Sequence, residues 1–489
     1  MAINDLFKML KTKPLPRFPE GHKPDPNNLT AKRYGTLETV EAFGAEQLMA
    51  DILLVQGISA EVLSARHPDV IPLEAAREIA FKANLDHVSP KRIREIEAKT
   101  GHDVIGINSA LEEVVDPSAA PHIHKPKTSA DATQPARAIQ LKRGVEIIAH
   151  STENLRDIVI ERAEAWINVP HMDQSHFYDA LPTVAGRPFA HYAEMLDSGL
   201  QILKVVYEKS IMGKWADASG NHHGATSLKI DGPELEKDLC DILAVNSMIA
   251  PAQLPGLEFE TDVVYALTRI SATVGNLATY IRRHKGSDAA LFLDSNPKRR
   301  KGSSAMPHKD LYGGNPTTEE QDNSWFNHMA GTLTTAMMNT QMDYARDLSA
   351  SANMRVALET AFKVLDHGIR RLASTVYWLN IDEDRARERI DRTFGVTTSN
   401  QVLYHLTDPR MVKEPLGRKE AHHLLAKLAT QAYTEQRQFG DVLLEDSTTA
   451  VLGELKIREL TDPYTFIGES QRLIRDVKEK HYQKITIEG

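Results

Sequence analysis

The chain has 489 residues, 41% hydrophobic and 26% charged, with a formal net charge of −9. That length allows two to four ordinary domains with a substantial core, and the acidic balance argues against general binding to nucleic acid or an anionic membrane. Cys240 is the only cysteine, so no intrachain disulfide can form, which suits a reducing cytoplasm. The amino terminus lacks the features of a signal peptide, and no apolar run reaches the roughly 18 residues that a membrane span requires.

Residues 12–30 carry five prolines and little periodicity, which predicts an extended lead-in. From about Thr36 to Arg66 the apolar positions Val40, Phe43, Leu48, Ile52 and Leu53 follow helical spacing. Prolines at 68, 72, 90, 117, 121 and 126 then break the chain into short segments. Residues 137–168, 187–212, 233–249, 258–285 and 319–345 run long with little interruption. A helix of 28 residues is roughly 42 Å long, and helices of that length bury their apolar stripes against one another in a bundle. Ala330, Leu333, Ala336 and Met337 are spaced for tight helix contacts. β-branched alternation is scarce, which excludes a large sheet. Residues 361–489 return to shorter segments, broken at Asp408-Pro409, Glu414-Pro415 and Asp462-Pro463. The expected fold is all-α, with three consecutive helical domains at 1–120, 121–360 and 361–489.

Polar runs that packing does not require punctuate these helices. Thr100-Gly101-His102-Asp103 contains a His-Asp pair able to orient an imidazole. Thr128-Ser129-Ala130-Asp131 reads either as a plain helix cap or as a carboxylate cradle at a helix N-terminus. His176, in Ser175-His176-Phe177-Tyr178-Asp179, can exchange a proton near neutral pH. Asn221, in the Ser219-Gly220-Asn221 loop, and Gln253, after Pro251-Ala252, could each offer an amide to a carboxylate. Arg346, Ser351 and Arg355 read either as helix-surface groups or as a grip on a phosphate through charge-assisted hydrogen bonds.

The most specific run is Lys301-Gly302-Ser303-Ser304-Ala305-Met306-Pro307-His308-Lys309, followed by Asn315-Pro316. Glycine, two hydroxyls and a fixed cation suit a loop that closes over an anion, with Lys309 stabilising negative charge as it develops. The string resembles the signature loop of the fumarase/aspartase superfamily, lyases that eliminate fumarate from substituted succinates. The other runs occur in the order expected of that superfamily across roughly residues 33–440.

The resemblance implies a role for each run. It is strongest to the branch that acts on succinylated purine nucleotides. A branch acting on argininosuccinate, or another succinyl-amine, is the rival. Ser303 would be the general base, with Ser304 and Met306 beside it in the loop. Lys309 and Asn315 would hold the carbanion, and His176, oriented by Glu320, would protonate the leaving nitrogen. Arg33 and Tyr34 would help bind the nucleotide, and His102 and Asp103 would lie at the active site. Thr128 and Ser129 would hold the succinyl part, with Asn221 and Gln253 nearby. Arg346, Ser351 and Arg355 would take the phosphate. The resemblance further implies a homotetramer with active sites shared between subunits, and no cofactor or metal. His122, His124, His222 and His223 are accordingly read as polar loop residues.

Three departures stand out. Asp310-Leu311-Tyr312-Gly313-Gly314 lengthens the signature loop, Tyr178-Asp179 replaces Gln-Pro in the histidine motif, and Leu257 replaces an arginine.

Overall fold

The computed structural model describes residues 33–296 and 305–482. Helices dominate it. In chain order they are α1 (Leu37–Ala42), α2 (Ala45–Arg66), α3 (Leu73–Lys82), α4 (Pro90–Thr100), α5 (Asp103–Glu112), α6 (Ser129–Ala165), α7 (Gly186–Lys209), α8 (His223–Ser227), α9 (Gly232–Leu243), α10 (Leu257–Lys285), α11 (Thr317–Met338), α12 (Ser351–Tyr377), α13 (Glu383–Asp391), α14 (Ser399–Thr407), α15 (Arg418–Glu435), α16 (Phe439–Glu445), α17 (Glu454–Leu460) and α18 (Ser470–His481). Sheet structure is confined, among the described residues, to two antiparallel pairs. One is the hairpin of β1 (Pro170–Ser175) and β2 (Tyr178–Val184). The other joins β3 (Phe292–Asp294) to β4 (Leu379–Ile381). The all-α expectation holds.

Helices α6, α7, α10, α11 and α12 form the central bundle. The stripe Val263, Val264, Leu267, Ile270, Val274, Leu277, Ala278 and Ile281 on α10 is buried, at the spacing a helix face requires. Helix α11 runs antiparallel to α10. Lys285 donates to Glu319 Oε1 at 2.5 Å near one end, and Thr261 donates to the Ala336 carbonyl at 3.1 Å near the other. Thr279 donates to Asn323 Oδ1 at 2.7 Å between them.

A second core gathers Ile52, Leu63, Ile79, Ile93, Ile107 and Leu111 from α2–α5, with Trp215, Leu235 and Leu239 from the chain after α7. A third, around Val402, Leu425, Phe439, Leu443 and Ile457, belongs to α14–α17. The carboxyl-terminal α18 leaves that third group and buries Ile474 in the central core.

Several boundaries differ from expectation. The helical stretch expected over 36–66 breaks at Gly44, which caps α2. Helix α6 begins at Ser129 rather than 137 and continues through Pro135, because Asp131 folds back to accept the Thr128 N–H at 2.7 Å and nucleates the first turn upstream. Position 360, expected to separate two domains, lies inside α12. The apolar stripe of that helix continues through Phe362, Leu365, Ile369, Leu372 and Val376. Helix α2 is long and apolar enough to cross a membrane by length and hydropathy alone, contrary to expectation. In this fold it buries Asp51, Gln56, Ser59 and Ser64 along with its apolar residues, as a core helix does.

One close approach fixes how α6 meets its neighbours. Phe43 and Phe362 stack with centroids 4.7 Å apart, and a Cβ at Gly144 would lie 2.8–2.9 Å from both rings. Gly144→Leu is expected to cost about 2 kcal/mol or more through overpacking, seen as a lower denaturant midpoint. An unchanged midpoint would show that the rings have room to move.

Candidate functional site

The expected site residues fall into two groups at opposite ends of the bundle. Gln253 lies just ahead of α10, whereas Phe177, beside His176, lies 4.7 Å from the Arg283 guanidinium in the last turn of the same helix. At 1.5 Å per residue, the 29 residues of α10 hold these groups roughly 40 Å apart.

The first group forms around the N-terminus of α6. Asp131, fully buried, organises it. Its carboxylate accepts the Thr128 N–H and pairs with the equally buried Lys214 at 2.6 Å. It also accepts the backbone N–H groups of Ala216 (3.0 Å) and Asp217 (3.1 Å). The cap reading of this turn is thus seen directly, with Asp131 as its carboxylate. Thr128 and Ser129 sit on this turn, and Ser129 Oγ is 3.3 Å from His102 Nε2. The His102 ring is 3.3 Å from Asp103, and both lie at the start of α5.

Two weak motifs meet here as one unit. Gly220 has φ +77°, and a Cβ there would sit 1.9 Å from the Pro251 carbonyl oxygen, so only glycine lets these loops touch. Gln253 Nε2 donates to the Ala218 carbonyl at 2.9 Å, and its Oε1 accepts from Arg346 at 2.9 Å. Asn221, in the same turn, donates to the Ser219 carbonyl at 3.2 Å.

Arg346 is half-buried. Desolvation, then the charge of Arg355, lowers its pKa, partly opposed by Asp103. Arg137 on α6 feels the same arginine. Burial lowers its pKa first, Glu260 opposes, and Arg355 lowers it further. Arg355 itself is exposed, one turn into α12 from the half-buried Ser351. Three guanidiniums thus converge at this end of the bundle. Sequence reading missed Arg137 and Lys214 because each sits in an otherwise ordinary stretch, and only packing brings them to the site.

The second group lies at the other end. His176 and Phe177 form the tip of the β1–β2 hairpin, both exposed and both with positive φ (52° and 68°). Asp179, one of the departures in this motif, receives Arg389 at 2.8 Å and Arg392 at 3.3 Å, tying the hairpin to α13 and the residue after it. Behind the hairpin, buried His171 meets Tyr280 at 3.3 Å; burial drives the His171 pKa down to about 3, so it is a neutral packing group.

Ser303 and Ser304 lie outside the described residues. Lys309 follows in the 3-10 turn Pro307–Tyr312, and its ammonium is 3.3 Å from Asn315 Oδ1. Met306 and Asn315 are exposed. The lengthened loop turns at Gly313 and Gly314 (φ 82° and 83°), and Gly313 packs so closely on Asp294 that a Cβ would lie 2.9–3.2 Å from it. Glu320 is exposed, and the buried carboxylate here is its neighbour Glu319, which pairs with Lys285. Within the chain Glu320 faces solvent rather than His176. Tyr34 packs edge-on against Trp325 (4.8 Å) and His367 (5.8 Å), and the Arg33 guanidinium is 5.7 Å from the Tyr34 ring. That position lies along the bundle wall, apart from Arg346. Among the described residues no three His, Cys, Asp or Glu side chains cluster as a metal site would require.

Comparisons with known proteins bear on family and fold. A family model described as "Lyase" matches residues 42–331, and one described as "Adenylosuccinate lyase C-terminus" matches residues 395–477. The chain is 27% identical over 447 residues to adenylosuccinate lyase of Methanocaldococcus jannaschii, covering 91% of this chain and 94% of that one. It is 26% identical over 450 residues to the Pyrococcus horikoshii adenylosuccinate lyase, covering 91% and 96%. Among solved structures, 3-carboxy-cis,cis-muconate lactonizing enzyme from Pseudomonas putida superposes with a TM-score of 0.80 at 20% identity, covering 94% of this chain and 99% of that one. A fumarate lyase from Mesorhizobium sp. BNC1 superposes with a TM-score of 0.79 at 20% identity, covering 91% and 98%. The muconate enzyme and the fumarate lyase share the fold. With its family match over more than half its length, the chain belongs to the lyase family, within the fumarase/aspartase superfamily that its signature loop resembles.

Proposed function

We propose that this chain is an adenylosuccinate lyase, cleaving adenylosuccinate to AMP and fumarate and releasing fumarate from succinylaminoimidazole-carboxamide ribotide. The observation that carries this reading is that Arg137 and Arg346 both feel the charge of Arg355 at one end of the bundle, with Glu260, Glu359 and Asp103 offsetting them in part. Arg355 is the exposed member of this group, and a phosphate accepts several charge-assisted hydrogen bonds at once from such guanidiniums. An argininosuccinate lyase has no phosphate to place there.

In the proposed mechanism Ser303 removes the succinyl Cβ proton, and the carbanion is held as an aci-carboxylate by Lys309 and Asn315. His176, oriented by Glu320, protonates the departing nitrogen, and the C–N bond breaks to give fumarate. Serine is a weak base at its ordinary pKa, so exclusion of water and the charge of Lys309 favour its alkoxide. Thr128, Ser129 and His102 receive the succinyl carboxylates at the N-terminus of α6, where backbone N–H groups favour anions. No cofactor takes part.

The roughly 40 Å between the groups supports a working site that combines copies of the chain, and a homotetramer built on the central bundle is the proposed assembly. The open face of α11 supports this. Asn327, Ala330, Gly331, Thr334, Met337 and Met338 are exposed, and a Cβ at Gly331 would meet nothing within 4 Å. A glycine inside an exposed helix costs about 1 kcal/mol relative to alanine, a cost that a close helix contact between copies explains. A cytoplasmic location fits Cys240, a buried thiol whose burial pushes its pKa up to about 12.

Purified protein should consume adenylosuccinate, followed by the change in its ultraviolet absorbance. Arg355→Met is expected to raise KM about tenfold or more with a smaller effect on kcat, as loss of a charged phosphate contact does. An unchanged KM would favour the argininosuccinate reading. Mixed and reassembled, the inactive variants His176→Ala and His102→Ala, one from each end of the bundle, should recover part of the activity, because some sites then receive both intact groups. No recovery from correctly assembled mixtures would rule out sharing.

A further inference from the structure

Lys127 lies next to the expected succinyl-binding turn, yet neither its charge nor its surroundings are explained by packing. The buried lysines Lys214, Lys285 and Lys363 each pair with a carboxylate: Asp131, Glu319 and Glu359, respectively. Among the described residues Lys127 has no such partner. Its ammonium donates to the neutral Gln56 Oε1 at 3.2 Å and stands 4.9 Å from the centroid of the Trp215 ring. Both supports are themselves fixed. Trp215 Nε1 donates to the Pro126 carbonyl at 2.9 Å, and Gln56 Nε2 contacts Asn108 Oδ1 at 2.9 Å and His124 Nδ1 at 2.8 Å.

The groups around it leave the ammonium without a counter-charge. From the segment before α6 comes His124, which burial, then Lys127 and His102, drive down to about 3, so it stays neutral. From α5 come Asn108, with His102 and Asp103 at its first turn. From α6 comes Asp131, whose carboxylate is already committed to Lys214 and to three backbone N–H groups. From the segment after α7 come Lys214, Trp215 and Asp217; the Asp217 carboxylate accepts the N–H groups of Gly224 and Ala218.

We propose that Lys127 is a substrate-binding residue that pairs with a carboxylate of the succinyl group, beside Thr128 and Ser129. A cation oriented by an amide and an aromatic face, one residue from a turn built to hold a carboxylate, gains its missing counter-ion when the dicarboxylate enters. The inference rests on the reading of that turn as the succinyl cradle. Desolvation lowers the Lys127 pKa to about 7, with Asp131 opposing. The sign follows directly. Below pH 7 the ammonium is charged and attracts the dianion; above it the charge is lost, and affinity falls because binding must first restore the proton.

The test uses the full chain in its assembled state, with fumarate as the probe in titration calorimetry at pH 6.2 and 8.2. The unmodified protein is expected to bind fumarate about tenfold more tightly at the lower pH, and to take up a proton on binding at the higher. Lys127→Met should bind about tenfold more weakly at pH 6.2 and lose the pH dependence. Lys127→Arg, charged at both pH values, should keep its affinity at pH 8.2, which separates a charge effect from damage to the fold. Equal affinity and equal pH dependence in the Met variant would overturn the proposal, as would failure of the unmodified protein to bind fumarate. Fumarate binding that depends on Lys127, without turnover of adenylosuccinate, would sustain this inference while rejecting the nucleotide reading.

Discussion

The antiparallel pairing of α10 and α11 sets the geometry of everything else. Its register is held by buried groups that have few alternatives. Lys285 is enclosed with Glu319 and Asp294, at 2.5 and 3.8 Å, and slipping the helices by one turn would part this buried ammonium from Glu319. Threonines at 261 and 268 return their hydroxyls to carbonyls of α11, so the helices stay close along their length. Removing one partner of such a buried pair costs far more than the pair contributes net, which makes it a device of register rather than of stability. From that rod the signature segment emerges at one end and the arginine run at the other.

The polar end of α6 is built on the same logic at smaller scale. Asp131 spends its whole carboxylate on the cap, on Lys214 and on the turn after Trp215, so the loops at 128, 216 and 253 are mutually braced. Through Ala218 and Arg346, Gln253 joins that brace to the entry of α12. The site is rigid because its supports are buried, while the groups that would meet substrate remain partly open. At the opposite end the hairpin tip at His176 is braced from behind by Asp179 and its two arginines. There the chain departs from the family pattern, and the departure has a structural use.

Much of this was legible in the sequence. Long proline-poor segments announced a helical bundle because a helix needs an unbroken stripe of burial, and that stripe is written at fixed spacing. Chemistry-bearing runs were legible as interruptions of that spacing. Less legible were residues whose role comes from a distant partner. Arg137 reads as one charge among many along α6 until Arg355 is brought across from α12. In the pair Glu319-Glu320, adjacency hides that the first is buried against Lys285 and the second exposed. That α12 runs through position 360 was hidden for a related reason. Composition changes gradually there, whereas the helix continues as long as its stripe has a core to cover.

By itself the sequence determined the fold class, the order of the reactive segments and the family, since these follow from local periodicity and from short strings read along the chain. Only the tertiary structure decided which segments share an end of the bundle. That depends on helix length and antiparallel register, and both are set by buried contacts between residues tens of positions apart. It was the three-dimensional packing that separated His176 from Arg346 by the length of a helix and left Lys127 beside the α6 turn without a counter-charge, because neither property exists until the helices are side by side.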